Sequence, residues 1–290
     1  MSAQTQESGG GLSMKAILVP VEDHATIDSV FATSLLVAKK FGSYMEGVAL
    51  GPDLAEMVAA DFSLGGVVFD DHSRRELLAQ ALARFEIFMN SHAVKRYDEP
   101  AQTPSYGWIG DTLVSDNGIG EYGRVFDVIA IGRPGNEPHA PRKATLEAAL
   151  FDSGRPLLIA PPRAPAKLGE TILIAWNGSS ETARTVAFAM PFLLTAQDVP
   201  IVMIPGTRFP GPTDEQLAKS LRRHGIHART VPAPEHAKSQ GAAVLETAAS
   251  LGADLLIKGG YTQSRLRQFI FGSATGQILA EATLPIFMAH

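Results

Sequence analysis

Short aliphatic runs alternate along the chain with longer stretches in which apolar residues recur at helical spacing. In the carboxyl-terminal half the runs predict strands near 171–176, 199–204, 227–232, 254–258 and 284–289. Helical patterns fall between them, near 180–193, 213–224, 237–251 and 274–282. VIAI (Val128–Ile131) and LLIK (Leu255–Lys258) are apolar almost throughout, which suits strands covered on both faces. Strands alternating with helices imply a parallel sheet wound by right-handed crossovers, so the expected class is α/β.

The pattern occurs twice. Lys15–Gly42 lies on Glu170–Gln197, each a β-branched run, a polar loop and a helical stretch. FDVIAIG (Phe126–Gly132) lies on ADLLIKG (Ala253–Gly259), with Asp127 over Asp254. RPLLIAP (Arg155–Pro161) lies on LPIFMAH (Leu284–His290), with Pro156 over Pro285. The repeat predicts a domain over 14–161 and a second over 168–290, joined by the Pro- and Ala-rich PPRAPAK (Pro161–Lys167). Residues 1–13 carry too little apolar surface to offset the entropy of ordering and read as a disordered leader.

Composition narrows the function classes. The 290 residues hold 25 Lys and Arg against 30 Asp and Glu, a net charge of −5 that argues against a phosphate-tracking nucleic-acid surface. There is no Cys, which removes disulfides, thiolate zinc sites and thiol catalysis, and fits a cytoplasmic protein. No apolar run reaches the roughly 18 residues of a membrane span. The leader has neither the basic region nor the apolar core of a signal peptide.

Several local patterns point to chemistry without carrying it. NGIGEYG (Asn117–Gly123) has dinucleotide-fingerprint spacing, yet it precedes a strand instead of following one. His224 and His227 stand three apart without carboxylates or a third His beside them, a solvated pair and no metal site. No nucleophile–base spacing supports a hydrolase, and no catalytic residue is assigned.

Open parallel sheets bind ligands beyond the carboxyl ends of their strands, where the winding reverses. In the second half those ends are the loops after its first and fourth strands. The fourth strand leads into GGYTQSRLRQFIFGSATGQIL (Gly259–Leu279). Gly259 permits a sharp exit from the strand. Ser273 is placed to cap the last helix, leaving the N–H groups of Ala274 and Thr275 and the hydroxyls of Ser273 and Thr275 to face an anion, with Arg265 or Arg267 adding charge.

With these residues the chain resembles the universal stress proteins in their tandem two-domain form, over nearly all of 14–290. The hallmark of their nucleotide-binding members, G-x2-G-x9-G-[S/T], falls on Gly259, Thr262, Gly272 and Ser273, with Thr in place of the second Gly. Asn177, in WNGS, stands where the family usually has Asp after the first strand; Asn hydrogen-bonds a base or ribose without offering charge to a cation. In the first half Gly132 and Gly135 keep the opening of the motif, but Thr145-Leu146 replaces the Gly-Ser that would open the helix, and Glu22 takes the place of Asn177.

The resemblance implies two Rossmann-like, adenine nucleotide alpha hydrolase-like domains of five parallel strands, order 3-2-1-4-5, paired through their last strands. It further implies a stress-response module that binds ATP or another adenine nucleotide, with Mg as a companion ion, through Asn177, Gly259, Thr262, Gly272, Ser273 and Thr275. A homodimer and an unknown protein partner belong to the same expectation, and at most slow ATP hydrolysis. The rival readings are a nucleotide-free scaffold or apolar-ligand carrier on the same fold, favoured if Thr262 closes the pocket, and an adenylating enzyme, which lacks its loop motif.

Overall fold

The computed structural model describes residues 14–51, 71–98, 103–135, 137, 139–260 and 274–290. The expected leader, and Thr262, Gly272 and Ser273 with the residues between them, lie outside the described residues.

The first half runs β1 (Ala16–Val21), α1 (Ile27–Phe41), β2 (Tyr44–Ala49), α2 (Asp71–Ser91), β3 (Lys95–Arg96), β4 (Ser105–Trp108), α3 (Asp116–Tyr122), β5 (Val128–Gly132), α4 (Lys143–Asp152) and β6 (Leu157–Ala160). The second runs β7 (Ile172–Ala175), α5 (Ser180–Phe188), α6 (Met190–Leu193), β8 (Val199–Val202), α7 (Asp214–Arg222), β9 (Ala228–Val231), α8 (Gln240–Ser250), β10 (Leu255–Gly259), α9 (Ala274–Glu281) and β11 (Ile286–Ala289).

The eleven strands among the described residues join one sheet in the order β3-β4-β2-β1-β5-β6-β11-β10-β7-β8-β9. Within each half the described pairings are parallel, and the second half has the expected order 3-2-1-4-5. The first half has the same order with one correction, a sixth strand: β3, two residues long, adds to the edge beside β4. The halves meet at β6 and β11, which pair antiparallel with Ile286 opposite Ile159 and Met288 opposite Leu157. Across the seam Phe41 of α1 stands edge-on to Phe192, 5.0 Å between ring centres, and Phe192 meets Phe287 at 5.6 Å.

The residues that carried the repeat do equivalent work. Asp127 Oδ2 accepts from the backbone N–H groups of Lys15 (2.6 Å) and Ala16 (2.9 Å) at the start of β1. Asp254 Oδ1 accepts from those of Gly169 (2.7 Å) and Glu170 (3.0 Å) just before β7. Each carboxylate thus ties the entry of a fourth strand to the entry of the first, a charge-assisted bond at one end of the central pair. The carbonyls of Pro156 and Pro285 likewise accept from Ile129 (3.1 Å) and Leu256 (2.9 Å).

The helical stretch predicted over 180–193 is broken. Pro191 has no N–H to give to the preceding turn, so α5 ends at Phe188 and α6 resumes at Met190. Gly120 of NGIGEYG serves helix packing: a side chain there would meet the Ala148 carbonyl oxygen of α4 at 2.6 Å. Among the described residues no helix is long and apolar enough to cross a membrane.

Candidate functional site

In the second half the carboxyl ends of β7 and β10 lie side by side, with Lys258 in register with Ala175. After β7 come the buried Trp176 and then Asn177 and Gly178. Trp176 Nε1 donates to the Pro212 carbonyl at 2.8 Å, and the Asn177 carbonyl accepts from Phe209 N at 2.8 Å. The Gly- and Pro-rich loop after β8 is therefore folded against this turn, and Gly178 takes φ 82°, which a side chain would strain.

Asn177 Oδ1 accepts from Ser179 N (3.1 Å) and from Thr182 Oγ1 (2.7 Å), while Ser179 Oγ caps α5 by accepting from Thr182 N (3.2 Å). The backbone donor at Ser179 fixes which way the amide points. Its NH2 carries no hydrogen bond among the described residues. Asn177 therefore offers a ligand two donors and no free acceptor. Asn177→Ala is expected to lower stability by about 1–2 kcal/mol through the lost turn and cap bonds, read as a shift in the urea midpoint. An unchanged midpoint would place the turn's stability elsewhere.

Gly259 ends β10, and the need for glycine comes from packing more than from the exit angle. A Cβ there would stand 2.5 Å from the backbone N of Thr182, 2.6 Å from its Oγ1 and 2.8 Å from its Cα. Thr182 thus links Gly259 to Asn177. On the other side, Lys258 Nζ donates to Thr275 Oγ1 at 2.7 Å and to the Gly259 carbonyl at 3.0 Å. Thr275 is buried in the first turn of α9, which begins at Ala274, where a cap at Ser273 would start it. The three described residues expected at the site, Asn177, Gly259 and Thr275, are brought into one connected cluster by Thr182 and Lys258. Neither linking residue was singled out from the sequence. For Lys258 the signal was there, a charge interrupting an apolar run one residue before the motif glycine.

The corresponding place in the first half is filled from within. Glu22, following β1, accepts from the backbone N of Arg142 (3.1 and 3.3 Å to its two oxygens) and from its Nε (2.9 Å). Arg142 Nη2 lies 3.5 Å from Asp116 Oδ1, which also accepts from Thr145 Oγ1 at 2.6 Å. Ala25 N donates to the His139 carbonyl at 3.3 Å, so the loop after β5 rests directly on the loop after β1. Gly132 is pressed by its own loop, with Pro141 Cγ 2.5 Å from a would-be Cβ. One sequence reading is corrected here: Thr145-Leu146 does not open the helix. α4 begins at Lys143, so both residues lie inside it, buried, and only ten residues (133–142) separate it from β5.

Burial pushes the Glu22 carboxyl up to about 7 although Arg142 pulls the other way. Burial, aided by the Arg84 charge, lowers His24 to about 4, and its Nδ1 accepts from Thr26 N at 3.1 Å. His224 and His227 are both exposed. No group of three or more His, Asp or Glu residues stands ready to hold a metal among the described residues.

No family model matches the chain, and neither does any curated protein sequence. Solved structures do. A universal stress protein from Archaeoglobus fulgidus DSM 4304 superposes with a TM-score of 0.67 at 14% identity, over 96% of this chain and 99% of the other. A putative universal stress protein from Pseudomonas aeruginosa UCBPP-PA14 gives 0.54 at 14% identity, over 95% and 93%. A functionally unknown protein from Pseudomonas aeruginosa PAO1 gives 0.56 at 14% identity, over 95% and 92%. The chain has the fold of the universal stress proteins along nearly its whole length.

Proposed function

We propose that the chain is a tandem universal stress protein whose second half, 168–290, binds ATP or another adenine nucleotide and whose first half, 14–161, is a structural and pairing domain. The observation that carries this reading is the contrast between the two switch-point crevices. In the second half a donor-rich cluster of Asn177, Lys258 and Thr275 surrounds the strand ends, and the glycine-spaced segment Gly259–Ser273 follows it. In the first half a carboxylate of the chain itself, Glu22, takes the backbone N–H at the start of α4 that an anionic ligand would otherwise receive.

The reading assigns Asn177 a base or ribose acceptor, and Gly272, Ser273 and Thr275 the phosphates, with Thr262 beside them. Asn177 is a poor fit for a Mg ligand, being neutral with its oxygen already engaged. Any Mg would therefore be held by the phosphates. Occupancy would be signalled to a protein partner; a cytoplasmic location and a homodimer complete the reading. A nucleotide-free scaffold is the alternative, and Thr262 is the residue that would favour it.

Calorimetric titration with ATP tests the reading. One site per chain is expected, abolished by Gly272→Val and untouched by Gly135→Val. Thr262→Gly should tighten binding or leave it unchanged. Two sites per chain, or binding that survives Gly272→Val, would move the site elsewhere. Nucleotide released on denaturing the purified protein, identified by mass spectrometry, would name the base.

A further inference from the structure

The apolar strand β10 ends in an ammonium group. Lys258 lies on the same face of the sheet as Leu256, and its register neighbours on the adjoining strands are Ala175 of β7 and Met288 of β11. All three of those residues belong to the hydrophobic layer under α8 and α9. The lysine stem is thus embedded in core while Nζ reaches the first turn of α9.

A cation in such a place normally meets a carboxylate, because taking it out of water is otherwise costly. Lys258 meets none. Its only partners among the described residues are two neutral oxygens, the Thr275 hydroxyl and the Gly259 carbonyl. The ten salt bridges among the described residues do not include it. The segment that follows it, 261–273, contains no Asp or Glu at all. A neutral side chain of the same length would suit the surrounding Ala175, Leu256 and Met288 better, so the positive charge has no evident use among the described residues.

Two bonds leave one of the three ammonium donors uncommitted. Thr275 accepts from Lys258, so its own hydroxyl proton is still available to donate. Lys258 stands at the carboxyl end of β10, where an open parallel sheet receives its ligand, and Thr275 stands in the first turn of α9, bonded to it.

We propose that Lys258 and Thr275 form an anion site that neutralises a phosphate of the bound nucleotide, making the second half selective for phosphorylated ligands over the bare nucleoside. This rests on the nucleotide reading above and adds to it the residue that supplies the charge. Burial lowers the free ammonium to about 8, which leaves it mostly charged at neutral pH and ready for a counter-ion. Lys258 here is a binding residue, and no covalent step is assigned to it.

The test uses the full-length chain, Lys258→Met and Lys258→Arg, titrated with ATP, adenosine and tripolyphosphate. The wild type should prefer ATP to adenosine. Lys258→Met should weaken ATP on the order of 10- to 100-fold, the worth of one hydrogen bond to a charged group, and leave adenosine unchanged. Lys258→Arg should retain most of the preference. Removing a partly buried charge that meets no carboxylate among the described residues should leave the melting temperature of Lys258→Met equal or higher, so weaker binding will not be confused with unfolding. If Lys258→Met binds ATP as tightly as wild type, the anion site is overturned while the nucleotide reading stands. If tripolyphosphate binds in a Lys258-dependent manner and neither ATP nor adenosine binds, the nucleotide reading falls and the anion site stands. If no probe binds the wild type, both are overturned.

Discussion

Gly259→Ala is expected to destabilise the protein by about 3 kcal/mol, at the upper end of what overpacking usually costs, and to weaken nucleotide binding sharply. The added methyl would stand 2.5 Å from the backbone N and 2.8 Å from the Cα of Thr182. A flexible side chain would swing aside from such a contact; the first turn of a helix cannot. The turn that would have to move is held by Ser179 Oγ on Thr182 N and by Asn177 Oδ1 on Thr182 Oγ1. Relief of the clash therefore breaks the cluster that aims the Asn177 amide. Thr182→Ala in the same chain should not rescue the loss, since it clears only the Oγ1 contact and leaves those to N and Cα. Gly51→Ala is the control: its Cβ would meet Leu113 Cβ at an ordinary 3.4 Å. Urea midpoints for the three variants, with ATP titrations beside them, decide the matter. A Gly259→Ala protein as stable as the Gly51→Ala control would sink the close-packing account.

What could be read from the sequence is what depends on local pattern. Four of the five strands of the second half are largely apolar runs, β9 (ARTV) being the exception, and each of the five lies within two residues of its expected bounds. Asp127 and Asp254 could be matched by eye because each immediately precedes a run, and both tie down the entry of a first strand. Pro191 was visible too, yet the helical periodicity around it masked the break between α5 and α6.

The loops were harder, because their geometry is settled by contacts between distant residues. The opening of α4 at Lys143 follows from Arg142 meeting Glu22, residues 120 positions apart, and no spacing rule encodes that pairing. Counting forward from Gly132 placed the helix opening too late for the same reason. At the second-half site the position of Asn177 was legible. The commitment of its oxygen to Ser179 and Thr182 was not, since that depends on how the chain turns into α5.

Two buried groups in the first half's closed crevice should tilt stability against pH in opposite directions. The Glu22 carboxyl is raised from 4.5 to about 7, mainly by burial. Between those pH values the folded protein keeps a proton that the unfolded chain has lost, so stability falls as pH rises through the window. His24 is lowered from 6.5 to about 4, again mainly by burial. Between those values the unfolded chain takes up a proton that the folded protein refuses, so stability falls as pH drops through that window. Each shift corresponds to about 3 kcal/mol, and the windows overlap from about 4.5 to 6.5, where the two slopes nearly cancel. Each single variant should then unmask the other group. Glu22→Gln keeps an acceptor for the Arg142 N–H groups and removes the titration, so relative to wild type it should lose stability more steeply from pH 6.5 down to 4.5. His24→Asn keeps an acceptor for Thr26 N and removes the other titration, so relative to wild type its stability should decline from about pH 4.5 to 6.5. The remaining carboxylates contribute to all three proteins alike, which makes the difference between profiles the quantity to measure. Urea midpoints at half-unit pH intervals give it, and profiles that run parallel for wild type and both variants would show that neither group titrates as its burial requires.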